Sequence, residues 1–193
     1  MKHYYESISG FFDFQDVYEE QVKLARDGHT FLEIGTYRGK SAAFLAVEII
    51  NSGKCILLDV VDPWDGRDCP GLLPGGANED PDISSSGSTF EVFSKNIEPV
   101  AHLIHVNSMT SLQASLLYDD ESLDFIFIDG AHDYDNVIQD MKIWWEKLKP
   151  GCVLAGHDFP APGVKRAVLE FSETHGIEIT PCSKRSWISE PKK

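Results

Sequence analysis

The stretch FLEIGTYRGKS, residues 31–41, decides how the rest of the chain is read. A short apolar run meets a glycine, and a second glycine opens what the following residues mark as a helix, so the stretch is a strand, a tight loop and a helix start. It closes on Gly39-Lys40-Ser41, as a triphosphate-binding loop does. Such a loop needs four residues between its first glycine and Gly-Lys-Ser, so that enough backbone N–H groups wrap the phosphates. Here only Thr36, Tyr37 and Arg38 intervene, and the ring is one residue short. The dinucleotide fingerprint G-x-G-x-x-G fails too, because position 37 is tyrosine. What remains is Glu-x-Gly-x-x-x-Gly-x-Ser. Its glycines let backbone approach a ligand, the amides at the helix start together with Ser41 suit a carboxylate, and Glu33 suits an ammonium. An amino-acid zwitterion fits this loop better than a triphosphate, which Glu33 would repel.

Working outward, LLDVVDPW (residues 57–64) ends a second apolar strand at Asp62, placed to accept both hydroxyls of a ribose. Asp59 competes for that role but lies within the strand pattern, where it is expected to turn elsewhere. A zwitterion site, a ribose site and an apolar purine slot together describe S-adenosylmethionine.

The periodicity predicts helices over Phe11–Arg26, Ser41–Ile50, a segment capped by Ser88 or Thr89, Ser111–Tyr118, Tyr134–Leu148 and Val164–Thr174. It predicts strands over Thr30–Ile34, Cys55–Val61, Ala101–Val106, Leu123–Ile128, Cys152–Ala155, Ile177–Thr180 and Ser186–Ser189, the last two close enough to pair antiparallel. Lys149-Pro150-Gly151 is expected to end the fifth of these helices. Apolar strands alternating with helices imply an α/β, Rossmann-like doubly wound, mostly parallel sheet with helices on both faces, whose ligands bind beyond the carboxyl ends of the strands. The 193 residues read as one domain, with residues 1–28 an N-terminal helical segment and residues 63–88 an inserted loop, a candidate lid.

The composition is that of a globular protein, 42% hydrophobic and 25% charged, and the N-terminus has no signal-peptide core, so a cytoplasmic location is the default. A net charge of −14 argues against nucleic acid and anionic membrane as partners. Cys55, Cys69, Cys152 and Cys182 show no C-x-x-C pairing and are expected to be buried free thiols.

FLEIGTYRGKSAAFLA, with VDPW, NSMT, FIFIDGAHDYDNV and LKPGCVLAGHDF, resembles the class I S-adenosylmethionine-dependent methyltransferases over roughly residues 30–190. It is most similar to the metal-dependent O-methyltransferases, both the catechol O-methyltransferase group and those acting on natural-product sugars. The resemblance implies a seven-stranded sheet with an antiparallel C-terminal strand. It also implies that Glu33, Gly35, Thr36, Tyr37, Gly39, Ser41, Asp62, Trp64, Ser108 and Asp129 hold S-adenosylmethionine. Asp129, His157 and Asp158 fall on the family's three metal-ligand positions, for magnesium or manganese. The usual pair at the last two is Asp-Asn or Glu-Asp, and His-Asp is a departure that leaves ligation by His157 open.

His132 lies where the catechol enzymes carry a lysine and the sugar enzymes a histidine, and is expected to act as general base beside Asp129. Asp133 is expected only to cap the next helix. The aromatic run Tyr4, Tyr5, Phe11, Phe12 and Phe14 is read as packing on the sheet, with an acceptor cover or a homo-oligomer contact as alternatives. The resemblance points to a small-molecule hydroxylated acceptor. The rival readings are a phosphate-loop nucleotide triphosphatase using Lys40, and a non-catalytic cofactor-binding protein.

Overall fold

A computed structural model of the chain describes residues 1–65 and 88–193. Within them β1 (Thr30–Ile34) is an interior strand of a seven-stranded sheet. Alternate residues of β1 feed two separate cores, because successive side chains on a strand point to opposite faces. Phe31 joins a core with α1 (Gln15–Leu24), α2 (Lys40–Ser52) and α3 (Thr89–Ile97). Leu32 and Ile34 join the other, with α5 (Tyr134–Lys147) and α6 (Pro162–His175). Both faces are thus covered, as the continuous apolar strands require.

The spatial order is β3-β2-β1-β4-β5-β7-β6, with β2 at Leu57–Val61, β3 at Ile104–Asn107, β4 at Leu123–Ile128, β5 at Leu148–Gly156, β6 at Ile179–Cys182 and β7 at Ser186–Ser189. The first five strands pair parallel, and β7 runs antiparallel between β5 and β6. The register fixes the site. Ile34 pairs with Val61 and with Ile128, and Ile128 pairs with Gly156, so residues 35, 62, 129 and 157 leave the sheet at one level. Because chain order reverses between β1 and β4, their following loops diverge and leave a crevice.

Several boundaries differ from expectation. α1 begins at Gln15, because residues 8–14 run as a non-helical strap through Gly10 (φ 134°). Lys149-Pro150-Gly151 lies inside β5, at a register shift opposite Leu123 and Phe125, with Gly151 in the left-handed region and its N–H donating to the Lys192 carbonyl. Pro99 opens a 3₁₀ segment (Glu98–Leu103) that delays β3 to Ile104. Ser88 caps α3 through the Glu91 amide, and Asp133 caps α5 through the Asn136 amide. α4 (Ser111–Ser115) is a short turn opened by a Thr110–Gln113 capping box.

Buried thiols are not what the structure holds. Cys55 is exposed, preceding β2, while Cys152 and Cys182 are half-buried free thiols and Cys69 lies outside the described residues. Most of the candidate lid, residues 66–87, also lies outside them. The aromatic run does pack inward: Phe14 stacks on Phe127 at 4.4 Å, and Tyr5 and Phe12 meet Phe44. Phe11 is the exception, 78% exposed. Among the described residues no helix is long and apolar enough to cross a membrane.

Candidate active site

A cleft of about 400 Å3 opens where the β1, β2, β4 and β5 ends leave the sheet. One half of it is backbone organised by a carboxylate. The Thr36 and Tyr37 N–H groups donate to Asp62 Oδ2 at 3.0 and 2.9 Å, and the Trp64 N–H donates to Oδ1 at 2.7 Å. The Trp64 indole N–H returns a bond to the Tyr37 carbonyl at 2.8 Å, and its ring packs on Phe93. Asp62 therefore ties the β1–α2 loop to the β2 end. Asp59 is turned away, as expected, accepting from the Tyr118 hydroxyl at 2.6 Å.

Gly35 has φ +83°, and a Cβ there would stand 2.2 Å from the Asp129 carbonyl oxygen, so only glycine lets the loop close against β4. Gly39 serves a different end. A Cβ on it would meet Phe93 and Ile97, so this glycine admits α3 and does not line the cleft.

Of the other sequence-selected residues on this side, Tyr37, Asp62 and Trp64 line the cleft, and Glu33, Thr36 and Ser41 lie behind it. Glu33 is fully buried and accepts from the Ser41 hydroxyl. Burial pushes its carboxyl up to about 8, against the lowering effect of Ser41. Ser108 is exposed and outside the cleft, and the next turn supplies Thr110, Ser111 and Leu112 instead. Lys40 donates to the Gly10 carbonyl at 3.0 Å, packing the N-terminal strap against the loop.

The other half is a side-chain network. Asp129 leaves β4, His132 follows in the same loop, and His157 and Asp158 leave β5. His132 Nε2 lies 2.6 Å from Asp158 Oδ2, and the Arg185 guanidinium lies 2.5 Å from Oδ1. Asp158 holds φ +54°, a left-handed conformation costing an aspartate on the order of 1 kcal/mol, and this turn aims its carboxylate at both partners. His157, 7% exposed, directs Nε2 to Asp13 Oδ1 at 2.8 Å, while Nδ1 faces Asp129 Oδ1 at 3.3 Å and Asp158 Oδ2 at 3.5 Å.

These contacts move the titrations. Burial alone would raise the Asp158 carboxyl, but the hydrogen bonds from His132 and His157 hold it well below the usual range. Burial alone would lower His157, but Asp129 and Asp158 outweigh it and carry the imidazole up to about 10. His132 is raised chiefly by its bond to Asp158, and desolvation raises Asp129 despite His157.

Asp129, His132 and Asp158 each offer a ligand atom within 4.8 Å of the others. The three-residue group takes in His132, while His157 spends Nε2 on Asp13 and turns Nδ1 to Asp129 and Asp158. The cleft also takes in Phe11, the one member of the aromatic run at the position of an acceptor cover, and Asn136, Gln139, Asp140 and Arg185, which sequence reasoning did not select. Arg185 carries no local pattern, whereas Asn136, Gln139 and Asp140 sit at helical spacing in α5 just beyond His132 and could have been found from it.

The family described as a methyltransferase domain matches residues 32–159, two thirds of the chain. No curated protein matches the sequence. Among solved structures, the O-methyltransferase NovP superposes with a TM-score of 0.67 at 14% identity, over 93% of this chain and 79% of its own. Cofactor-bound Rv0187 from MTB gives 0.66 at 16% identity, over 98% and 86%. The O-methyltransferase TomG from Streptomyces achromogenes, in complex with SAM and involved in tomaymycin synthesis, gives 0.59 at 17%, over 92% and 80%. These likenesses show that the fold is shared.

Proposed function

The chain belongs to this methyltransferase-domain family, and from that premise we propose that it is an S-adenosylmethionine-dependent O-methyltransferase acting on a small hydroxylated molecule. The observation that carries the reading is the common level of the strand ends, which puts the Asp62-tied loop and the His132–Asp158 pair on the walls of one cleft. Its volume of about 400 Å3 lies within the range of small-molecule sites, and Trp64, Val61 and Leu112 give it apolar walls beside Asp62. S-adenosylmethionine, when bound, supplies a methyl group activated by its sulfonium.

The chain's own residues do the rest. Tyr37, Asp62 and Trp64 wall the nucleoside, Gly35 allows the close backbone approach, and Glu33, Thr36, Gly39 and Ser41 hold the loop from behind. Asp129 lines both halves of the cleft. With Nε2 directed at Asp158, His132 has Nδ1 left to take the proton of an acceptor hydroxyl, and Asp158 steadies the imidazolium that results. Arg185 meets the other oxygen of the same carboxylate. Much of the acceleration comes from holding the acceptor oxygen in line with the methyl carbon.

A second reading is favoured by the spacing of Asp129, His132 and Asp158. Two carboxylates and an imidazole suit a divalent cation, with manganese favoured over magnesium by the nitrogen donor, and the ion would stabilise an alkoxide at the acceptor. His132 would then be a ligand in place of a base.

Thermal-shift measurements test the reading. S-adenosylhomocysteine is expected to raise the melting temperature by mass action. ATP with magnesium is expected to leave it unchanged, because Lys40 is bonded to the Gly10 carbonyl. A shift with ATP alone would replace the proposal by a nucleotide triphosphatase. A shift from S-adenosylhomocysteine without methyl transfer to any hydroxylated acceptor would favour a non-catalytic binding protein. A further shift with manganese would favour the metal reading.

A further inference from the structure

Residues 8–14 reach the site from the far end of the sequence, and the strap they form is pinned along its length. The Arg38 guanidinium donates to Ser9 Oγ at 2.6 Å, Lys40 Nζ donates to the Gly10 carbonyl at 3.0 Å, and the Ser183 hydroxyl donates to the Asp13 carbonyl at 3.0 Å. Phe14, fully buried, lies against Phe127 and, at 4.9 Å, the His157 ring. These contacts place the Asp13 carboxylate 2.8 Å from His157 Nε2.

The other ring nitrogen then has one direction left. Nδ1 faces Asp129 at 3.3 Å and Asp158 at 3.5 Å, the two carboxylates that flank His132. Among the described residues the side chains paired with a nitrogen of this ring are carboxylates, and an ionised carboxylate only accepts hydrogen bonds. A ring turned over would set carbon against all three, so the orientation observed is the one that satisfies Asp13, Asp129 and Asp158 together. The ring itself is buried, so these bonds are coupled through a group that water hardly reaches.

We propose that Asp13 is a positioning residue which, by orienting the His157 ring, sets the Asp129 and Asp158 carboxylates for the chemistry at His132, so that the N-terminal strap completes the active site. The inference deepens the methyltransferase reading and rests on it for the word active. On this account His157 is no ligand or base but the strap's point of contact with the reacting end of the cleft.

The test uses the full chain and the nitrogen-15 spectra of its histidine rings at neutral pH. In Asp13→Asn the His157 ring nitrogens are expected to move, and the His132 ring with them, although residue 13 makes no contact with His132. Asp13→Glu, which keeps the charge, is expected to restore most of the wild-type pattern. Ser183→Ala is the structural control. It removes a bond to the Asp13 backbone and leaves the carboxylate, and is expected to lower the melting temperature without moving either ring.

A wild-type histidine pattern in Asp13→Asn would overturn the proposal, as would an equal displacement in Ser183→Ala. Should Asp13→Asn fail to fold, His157→Gln gives the same decision, because an unchanged His132 ring in that variant also overturns it. Calorimetry with S-adenosylhomocysteine on wild type and Asp13→Asn is expected to give affinities within about twofold, since the Asp13 carboxylate takes no part in the bonds that Asp62 makes. If neither protein binds it the methyltransferase reading falls, while the ring spectra still decide whether Asp13 acts through His157.

Discussion

At one end of the cleft, a single loop from Gly35 to Gly39 and one carboxylate, Asp62, arrange backbone amides around a ligand-sized space. At the other, side chains from four separate stretches of the chain, at positions 13, 129 and 132, 157 and 158, and 185, are interlocked. The first end is a local device whose specificity comes from backbone geometry, glycines and the start of α2. The second is a tertiary device, in which each charged group is tolerated because another is already there. A family can therefore keep the first end recognisable while rebuilding the second for a different acceptor.

The sharpest way to break this division is His132→Ala. General-base catalysis contributes typically ~10²–10⁴-fold, so turnover with any accepted hydroxyl compound is expected to fall by that order. Affinity for S-adenosylhomocysteine, read by calorimetry, is expected to stay unchanged, because no bond of the Asp62 loop involves His132. A parallel loss of cofactor affinity would show that the two ends are one device.

The same division explains what the sequence made legible. The mostly parallel sheet followed from apolar runs of the right length, and the Gly35–Ser41 loop from spacing alone, because both are set by interactions among near neighbours. Asp62 and Asp59 could be told apart by strand alternation. Resemblance brought Asp129, His132 and Asp158 together, but local pattern could not say which atoms face which. Resemblance put His157 on a metal-ligand position and left its ligation open, and no local pattern could show that Asp13 meets its Nε2, an approach that depends on Phe14 entering the core. Gly39 and Glu33 were read as ligand-facing for a similar reason. Whether a glycine faces a ligand or a helix such as α3 depends on elements that lie far along the chain.

Glu33 sharpens the comparison from beneath the loop. Burial raises its carboxyl from about 4.5 unfolded to about 8 folded, so across that interval the folded state holds a proton that the unfolded state has released. Stability from this group is greatest below the unfolded value and is lost as pH climbs toward 8. The interval corresponds to a few kcal/mol on the order of 1.4 kcal/mol per pH unit. For a domain of this size that amounts to several °C in melting temperature, roughly 2–4 °C per kcal/mol. Glu33→Gln is expected to flatten the decline measured by calorimetry between pH 5 and pH 8. An identical decline in the variant would place the titrating group elsewhere.

The smallest effect is expected where the local device is altered by a single atom. In Asp62→Asn one carboxylate oxygen becomes an amide NH2, which donates and cannot accept from backbone N–H groups. Either the pair from Thr36 and Tyr37 or the one from Trp64 loses its acceptor, and the loop must relax away from β2. One charge-assisted bond exchanged for water is worth about 1.4 kcal/mol, a tenfold weakening of S-adenosylhomocysteine binding, with turnover at saturating cofactor unaffected. Asp59→Asn, two residues short of the strand end on β2 and bonded to Tyr118, should leave that affinity where it was. Equal losses from the two substitutions would mean that the carboxylates of β2 act through net charge, and that the loop geometry at Asp62 does not matter.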